Sequence, residues 1–224
     1  MSLSVNVDVV SDVVCPWCFI GQKKLDRALS MVPNIDVTVN WRPYQLDPTI
    51  PRGGTDRQAY MVAKFGSSEK INQIHARIAA TGEELGIAFD FDAIKVAANT
   101  LDAHRLIRWA GADGPDVQGR VVRNLFSAFF EQGRDIGRPE ILCDLAGNSG
   151  MDAAVVSALL ASPSDTEAVQ QEIATATSMG ITGVPCFLLD RRYALMGAQD
   201  SETLADAIRQ VADKIADAGA ERGN

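Results

Sequence analysis

The sequence predicts a split α/β domain, in which a βαβ half and a ββα half are separated by a long all-helical insertion. Two observations place the halves: a β-branched run at residues 5–10 precedes a helical pattern, and strand-like sequence returns only at residues 185–196. The third observation is near-continuous helical periodicity between about residues 55 and 180. The halves form one domain if the closing hairpin joins the first strands in a single sheet.

The first half follows from local patterns. Residues 5–10 are rich in valine and read as a buried strand, and residues 20–29 have helical character. Residues 35–41 alternate apolar and polar side chains, which indicates a second strand. A strand–helix–strand unit this short favours a right-handed crossover and a parallel strand pair.

The insertion and the second half complete the chain. Apolar side chains recur at helical spacing through the insertion, for example over residues 117–130 behind Pro115. Residues 185–190 and 193–196 then form a hairpin before a last helix. This order is that of a thioredoxin fold interrupted by helices. The predicted thioredoxin-like domain is discontinuous and comprises residues 1–48 and 178–224. The predicted helical insert domain comprises residues 49–177.

The motif Cys15-Pro16-Trp17-Cys18 lies between the first strand and the first helix. This order places Cys15 at a helix N-terminus, with Pro16 at the first helical position, where its missing N–H costs nothing. The positive end of the helix stabilises a thiolate there, and Cys18, one turn further on, can close a disulfide. The spacing therefore predicts a dithiol redox centre.

Two other interpretations of the cysteine pair are possible. A zinc site needs two more ligands, but the remaining cysteine and histidine residues are isolated in sequence, so no metal is expected. These residues are Cys143, Cys186, His75 and His104. His75 falls in the polar phase of its helix and is expected to be solvated. Two unreactive core cysteines are the second alternative. The proline between them, directly after a strand, favours redox chemistry instead.

Composition limits the function classes. The chain has 224 residues, 46% of them hydrophobic and 22% charged, as in a soluble globular protein, and no stretch approaches the length of a membrane span. Its net charge of −8 argues against a nucleic-acid partner. Residues 1–4 lead into the first strand without a signal sequence, so we expect a cytoplasmic protein, in which a C-x-x-C pair cycles rather than forming a permanent disulfide.

Several segments together resemble the DsbA family of the thioredoxin superfamily, in particular its cytosolic FrnE-like branch. A sister branch, the 2-hydroxychromene-2-carboxylate isomerases and kappa-class glutathione transferases, typically has serine in place of Cys15. The periplasmic DsbA proteins carry a histidine where this chain has Trp17, so a strongly oxidising potential is not expected. The segments are Cys15-Pro16-Trp17-Cys18, Trp41-Arg42-Pro43-Tyr44, residues 99–105, Gly183-Val184-Pro185-Cys186-Phe187 and Gly197-Ala198-Gln199.

The resemblance implies that Val184-Pro185 is a cis-proline loop packed against the dithiol. The backbone of Val184 would then pair with an extended substrate, which Pro16 and Trp17 would also contact. Strand alternation directs Cys186 to the opposite side, where we expect a small core residue. Cys143, in an apolar helical stretch, is interpreted in the same way.

Asn99 and His104 are possible cleft residues. His104 could position a substrate or transfer a proton, and Asn99 could line the same cleft. The alternative is that both side chains hold the helical insertion together through hydrogen bonds. The sequence favours this second interpretation slightly.

The expected function is a thiol–disulfide oxidoreductase, with Cys15 as the attacking thiolate and Cys18 as the resolving thiol. Its substrates are proteins or small molecules with thiols or disulfides, and it needs no bound cofactor, although glutathione or another thiol could be a co-substrate. One alternative is a glutathione-dependent isomerase or transferase that holds a glutathione carboxylate near Asp200-Ser201. Another is a non-enzymatic binding module or holdase that uses its helical insertion.

Overall fold

The structure is a computed structural model that describes residues 3–222, so the ends of the predicted thioredoxin-like domain, residues 1–2 and 223–224, lie outside it. Strands occur in both halves of the chain, and helices fill the interval between them. In chain order the elements are β1 (Leu3–Ser11), α1 (Pro16–Ser30), β2 (Ile35–Pro43), β3 (Thr55–Asp56), α2 (Arg57–Phe65), α3 (Ser68–Glu83), β4 (Val96–Ala97), α4 (Leu101–Ala112), α5 (Pro115–Phe130), α6 (Pro139–Asn148), α7 (Ala153–Leu160), α8 (Thr166–Ser178), β5 (Cys186–Leu189), β6 (Tyr193–Met196) and α9 (Ser201–Arg222).

The main sheet has the strand order β2-β1-β5-β6 and joins the two halves of the chain. Strands β1 and β2 are parallel, as their helical crossover requires, and Val9 pairs with Trp41. On its other side β1 pairs antiparallel with β5, where Val9 is opposite Phe187. The predicted split α/β fold is confirmed, with β1 as a central strand.

The helices of the insertion are amphipathic and pack into the same hydrophobic core as the sheet. Val9 of β1, Phe19 of α1, Phe126 of α5 and Leu142 of α6 belong to one contiguous cluster of buried side chains. The division into a thioredoxin-like domain and a separate insert domain therefore stays a prediction. Across the described residues, no helix is both long and apolar enough to cross a membrane.

A short antiparallel ribbon, β3–β4, was not predicted. It pairs Thr55 with Ala97 and Asp56 with Val96. Strands of two residues contain no detectable alternation, so periodicity cannot reveal them.

Aromatic side chains fix α1 against the insertion. The ring of Phe19 stacks on Phe126, with centroids 5.1 Å apart and planes inclined by 7°. Trp41 of β2 meets Phe126 edge-on, at 6.3 Å and 71°. Such aromatic pairs contribute about 0.5–1.5 kcal/mol beyond their buried area. The helix that follows the cysteine motif is thereby held to α5 as well as to the sheet.

His75 is not simply solvated, and that interpretation was wrong. Its ring stacks on Phe91, with centroids 4.1 Å apart and planes inclined by 9°. Burial lowers the pKa of His75, and the charge of Arg57 lowers it further. The phase of a residue on its own helix does not show which side chain a neighbouring loop will place over it.

The edge strand β2 is covered near its C-terminal end by one side chain. The amide of Gln118, on α5, accepts a hydrogen bond from the N–H of Trp41 at 2.8 Å. The same amide donates to the carbonyl oxygen of Trp41 at 3.3 Å and to that of Ile107 at 3.2 Å. Gln118 thus joins β2, α4 and α5 while satisfying the backbone of an edge residue.

Arg105 is fully buried and joins α4 to the end of α7. Its guanidinium donates to the carbonyl oxygens of Leu159 at 2.8 Å and Ser162 at 2.7 Å. It also donates to the carbonyl oxygen of Ser164 at 2.7 Å and to the Asp102 carboxylate at 2.8 Å. This one side chain therefore joins α4 to three carbonyl oxygens at and just beyond the end of α7, where helix-end carbonyls need an external donor.

Replacing Arg105 with methionine is expected to reduce the free energy of unfolding by about 3–5 kcal/mol, because it leaves buried acceptors and a carboxylate without their partner. The matched control is Arg108→Met on the same helix. The ion pairs of Arg108 with Asp165 and Glu172 are partly exposed, so about 0–1 kcal/mol is expected. Urea denaturation measures both, and equal losses would contradict the structural role of Arg105.

Candidate active site

Cys15 is the N-cap residue of α1, with φ −93° and ψ 113°, and Pro16 occupies the first turn. The N–H of Cys15 donates to the carbonyl oxygen of Asp12 at 3.0 Å, and the carbonyl oxygen of Cys15 accepts from the N–H of Cys18 at 3.0 Å. The first turn of α1 contains no acidic residue. The positive end of the helix therefore acts on the Cys15 sulfur without a carboxylate in that turn to offset it.

The loop before β5 faces this sulfur. The Val184–Pro185 peptide bond is cis, as the resemblance implied. The Sγ atom of Cys15 lies 3.7 Å from the carbonyl oxygen of Val184, although the two residues are 169 positions apart. A dithiol from the first half and a loop from the second half thus meet at one place.

Glycine at position 21 permits the close packing of α1 on this loop. A Cβ atom there would lie 2.9 Å from the Cγ atom of Pro185 and 3.2 Å from the Cζ atom of Phe187. Real Cβ atoms essentially never lie as close as 2.9 Å to another heavy atom, so a larger residue would push α1 away from the loop.

Cys18 lies below Cys15 and is buried, and all four cysteines are free thiols within the described residues. Burial raises the pKa of Cys18 well above its usual range, and its hydrogen bond to Cys15 and the charge there raise it further. The Ser11 hydroxyl and the backbone N–H of Asp12 oppose this effect weakly. The two thiols are therefore inequivalent: both are buried, but Cys15 lies at the helix end beside the loop, and burial raises the pKa of Cys18.

The other residues assigned to substrate binding surround this opening. Trp17 is 42% exposed, Pro16 and Val184 are half-buried, and Pro185 is buried. The sequence analysis missed Leu46, which is also 42% exposed and whose N–H donates to the carboxylate of Asp12 at 2.8 Å. The prolines that flank this segment gave a signal for a loop, but not for its position.

The two possible cleft residues lie in different surroundings. His104 is buried, with its Nε2 atom 3.4 Å from the Oδ1 atom of Asp12. The Asn99 side chain donates to the carbonyl oxygen of Ile50 at 2.6 Å and accepts from the N–H of Leu101 at 2.9 Å. Asn99 therefore holds a loop to the start of α4, whereas His104 contacts the turn that leads to Cys15.

Asp12 was also missed by the sequence analysis, although a signal was present. It is a single charged residue in an otherwise apolar stretch between β1 and the motif, and it is 1% exposed. A carboxylate in such a position is almost always paired.

Cys186 lies on the face of the sheet opposite the dithiol, as strand alternation predicted. It packs with Val10, Ala176 and Ile181, while its neighbour Phe187 joins the core beneath the motif. Cys143 is half-buried on α6. Within residues 3–222, no group of three or more histidine, cysteine, aspartate or glutamate side chains is placed to bind a metal ion.

Comparison with known proteins identifies the class. Residues 6–209 match the family of DSBA-like thioredoxin domains, and the chain belongs to this family. Among solved structures it is similar to a probable DsbA oxidoreductase of Streptomyces coelicolor, with 31% identity over 92% of this chain and 89% of that one, and a TM-score of 0.83.

Two further structures share the fold at lower identity. The cytosolic disulfide reductase DsbM of Pseudomonas aeruginosa, determined with glutathione, is 18% identical over 94% of this chain and 96% of that one, with a TM-score of 0.58. A 2-hydroxychromene-2-carboxylate isomerase is 17% identical over 95% and 98% of the two chains, with a TM-score of 0.69. At these identities the comparison establishes the fold alone.

Replacing Gly21 with alanine is expected to reduce the free energy of unfolding by about 1–3 kcal/mol, because the added methyl group forces α1 away from Pro185. Gly147→Ala on α6 is the matched control, since its new Cβ would be 3.7 Å from the nearest atom. There the gain in helix propensity should add about 0.5–1 kcal/mol. Denaturant midpoints measure both, and a stabilised Gly21 variant would contradict this packing.

Brief treatment of the reduced protein with iodoacetamide near neutral pH is expected to alkylate Cys15 first. Cys15 lies at the helix end, while burial raises the pKa of Cys18 and that of Cys186. Peptide mass spectrometry gives the order of labelling. Faster labelling of Cys18, Cys143 or Cys186 would contradict the assignment of the attacking thiol.

Proposed function

We propose that this protein is a thiol–disulfide oxidoreductase that cycles Cys15 and Cys18 between dithiol and disulfide. One observation supports this above all: Cys15 is the N-cap residue of α1, and its sulfur lies 3.7 Å from the Val184 carbonyl oxygen, with Cys18 buried in the first turn of the same helix. A thiolate at a helix terminus is a competent nucleophile, and a second thiol one turn away can displace whatever it binds.

The chemistry takes two exchange steps. The Cys15 thiolate attacks a substrate disulfide and forms a mixed disulfide, and Cys18 then attacks Cys15 and releases the reduced substrate. The inequivalence of the thiols favours this order, because burial raises the pKa of Cys18 and so disfavours its thiolate as the first nucleophile. Electrons pass from thiol to thiol throughout, so the cycle needs no bound cofactor.

The surroundings of Cys15 suit an extended thiol or disulfide substrate. Trp17 and Leu46 offer exposed apolar surface beside the motif. The backbone of Val184 can pair with a substrate segment in the manner of strand addition, while Pro16 and Pro185 line the opening. A protein or a small thiol such as glutathione could occupy this place. We place the protein in the cytoplasm, where a C-x-x-C pair cycles between dithiol and disulfide and does not form a permanent disulfide.

A glutathione-dependent isomerase is the weaker candidate. Its glutathione carboxylate would lie near the start of α9, but Asp200 already pairs with Lys24, with Oδ1 2.6 Å from Nζ. Glu202 adds a second negative charge in the first turn. Such a site repels a carboxylate, and an isomerase would leave Cys18 without a role.

Insulin reduction with dithiothreitol as electron donor is expected to be catalysed by the protein and abolished by Cys15→Ser. Cys18→Ser should retain the first exchange and remain covalently bound to its substrate. The control variant is Cys143→Ser, which replaces a cysteine on α6, outside the C-x-x-C motif, and should keep full activity. Turbidity of the precipitating insulin chain measures the rate.

Other outcomes would favour the other functions. Activity on a glutathione-dependent isomerase substrate that survives Cys18→Ser but not Cys15→Ser would favour the isomerase. Suppression of protein aggregation that survives replacement of both cysteines would favour a holdase.

A further inference from the structure

A cavity of about 270 Å³ lies on the face of the sheet opposite the dithiol, between β1, β5 and α8. Its floor is the small apolar cluster that holds Cys186, and Leu188 extends this floor. We propose that this cavity binds a small carboxylate with an apolar body, and that Arg42 and Arg191 hold the carboxylate group. The site is separate from the cysteine motif, so it can be tested apart from the proposed function.

One buried carboxylate organises the charged end of the cavity. Asp8 lies on the central strand β1, and its side chain is 6% exposed. Its Oδ1 atom accepts a hydrogen bond from Nε of Arg42 at 2.9 Å, and its Oδ2 atom accepts one from Nε of Arg191 at 3.3 Å. A single side chain thus holds two guanidinium groups next to each other at the cavity, one from β2 and one from the turn between β5 and β6.

The polar groups that remain available at this end of the cavity are donors. Among residues 3–222, no hydrogen bond or ion pair involves the terminal nitrogens of Arg191 or the Nη2 atom of Arg42. The acceptors are already occupied, because both arginines bind Asp8, and Arg108 binds Glu172. A ligand that completes the site therefore brings acceptor oxygens. The planar fork of a guanidinium group matches the two oxygens of a carboxylate.

The backbone at Arg191 indicates that its side chain has a use. Asp190 and Arg191 have φ angles of 49° and 55°, and the N–H of Arg192 donates across the turn to the carbonyl oxygen of Leu189 at 3.0 Å. A turn with positive φ at both central residues favours asparagine or aspartate followed by glycine. Arginine at the second position is strained, whereas glycine is not.

A purely structural role explains Arg191 less well. In that case its ion pair with Asp8 would serve only to hold the turn against β1. The side chain of Arg191 is 73% exposed, and ion pairs of exposed side chains add little stability. Glycine at this position would fix the turn at least as well. Strained residues of this kind are concentrated at functional sites and ligand-binding loops.

The remainder of the cavity suits an apolar group. Val10, Ala176 and Ile181 are buried in its floor, and Met179, which follows α8, is 57% exposed beside them. The flexible thioether of methionine adapts to ligands of different shape. Ligand pockets have volumes of about 300–1,000 Å³, so a cavity of about 270 Å³ limits the ligand to a small molecule. A fatty acid of medium length has the required chemistry.

The charges around the cavity favour a head group with one negative charge. Asp8 and Glu172 line the cavity together with the two arginines. A phosphate monoester carries close to two negative charges near neutral pH, so these carboxylates repel it more strongly than they repel a carboxylate ligand. A cationic head group would meet the guanidinium groups directly. The expected ligand is therefore a carboxylate rather than a phosphate or an amine.

The test is a titration of the full-length protein with octanoate, followed through the carbon-13-labelled methyl groups of its methionines. The chain contains six methionines, and Met179→Leu identifies the resonance of Met179. Octanoate should shift this resonance saturably. Acetate lacks the apolar body and octylamine lacks the carboxylate, so neither should shift it at the same concentrations. Octyl phosphate should bind more weakly than octanoate, and tighter binding of octyl phosphate or octylamine would overturn the proposal.

Two variants of the same turn separate binding from folding. Arg191→Gly should weaken octanoate binding about tenfold or more, because a charge-assisted hydrogen bond is lost. It should keep its denaturation midpoint, because glycine favours this backbone. Arg192→Ala removes the same charge but not a residue of this cavity, and should bind octanoate within about twofold, because salt screens a more distant charge. No saturable shift of Met179, or unchanged binding by Arg191→Gly, would show that the proposal is wrong.

Discussion

The contact between the first turn of α1 and the loop before β5 is the constraint on which the rest of this structure depends. It brings the Cys15 sulfur to within 3.7 Å of the Val184 carbonyl, across 169 positions of sequence. Strand β1 makes this possible because it pairs with β2 on one side and with β5 on the other. Gly21 then lets α1 come close enough to Pro185 for the thiol and the loop to share one opening. The position of the Cys15 thiol beside the Val184 loop therefore depends on the long-range pairing of β1 with β5.

The helical insertion is part of the site. Phe126 of α5 stacks on Phe19, one residue after Cys18, and His104 of α4 faces the turn before Cys15. Arg105, next to His104, fixes α4 to the segment that follows α7. A displacement of α4 would therefore move His104. Among the hydrogen bonds and ion pairs of the described residues, His104 is the only residue of the insertion that contacts the Asp12 carboxylate. The geometry around Cys15 and Cys18 and the packing of the insertion are coupled through these few side chains.

Much of this arrangement could be predicted from local sequence, and the remainder could not, for a physical reason. The order of strands and helices, the position of Cys15 at a helix end and the placement of Cys186 on the opposite face of the sheet follow from patterns over a few residues. The resemblance supplied the Val184–Pro185 loop. By contrast, the pairing of Asp12 with His104 joins residues separated by most of the first half of the chain, and the stacking of His75 on Phe91 depends on where a loop returns. Contacts of this kind are set by tertiary packing, which leaves no periodic trace.

The amide of Gln118 has a consequence for the protein in a crowded solution. An edge strand with free N–H and C=O groups is a template on which another chain can add, and proteins avoid this by covering or charging such edges. On β2, Gln118 occupies both backbone groups of Trp41 and lies buried between α4 and α5. The side chain substitutes for a neighbouring strand at that position. This part of the sheet edge is thereby closed to extended segments of other chains.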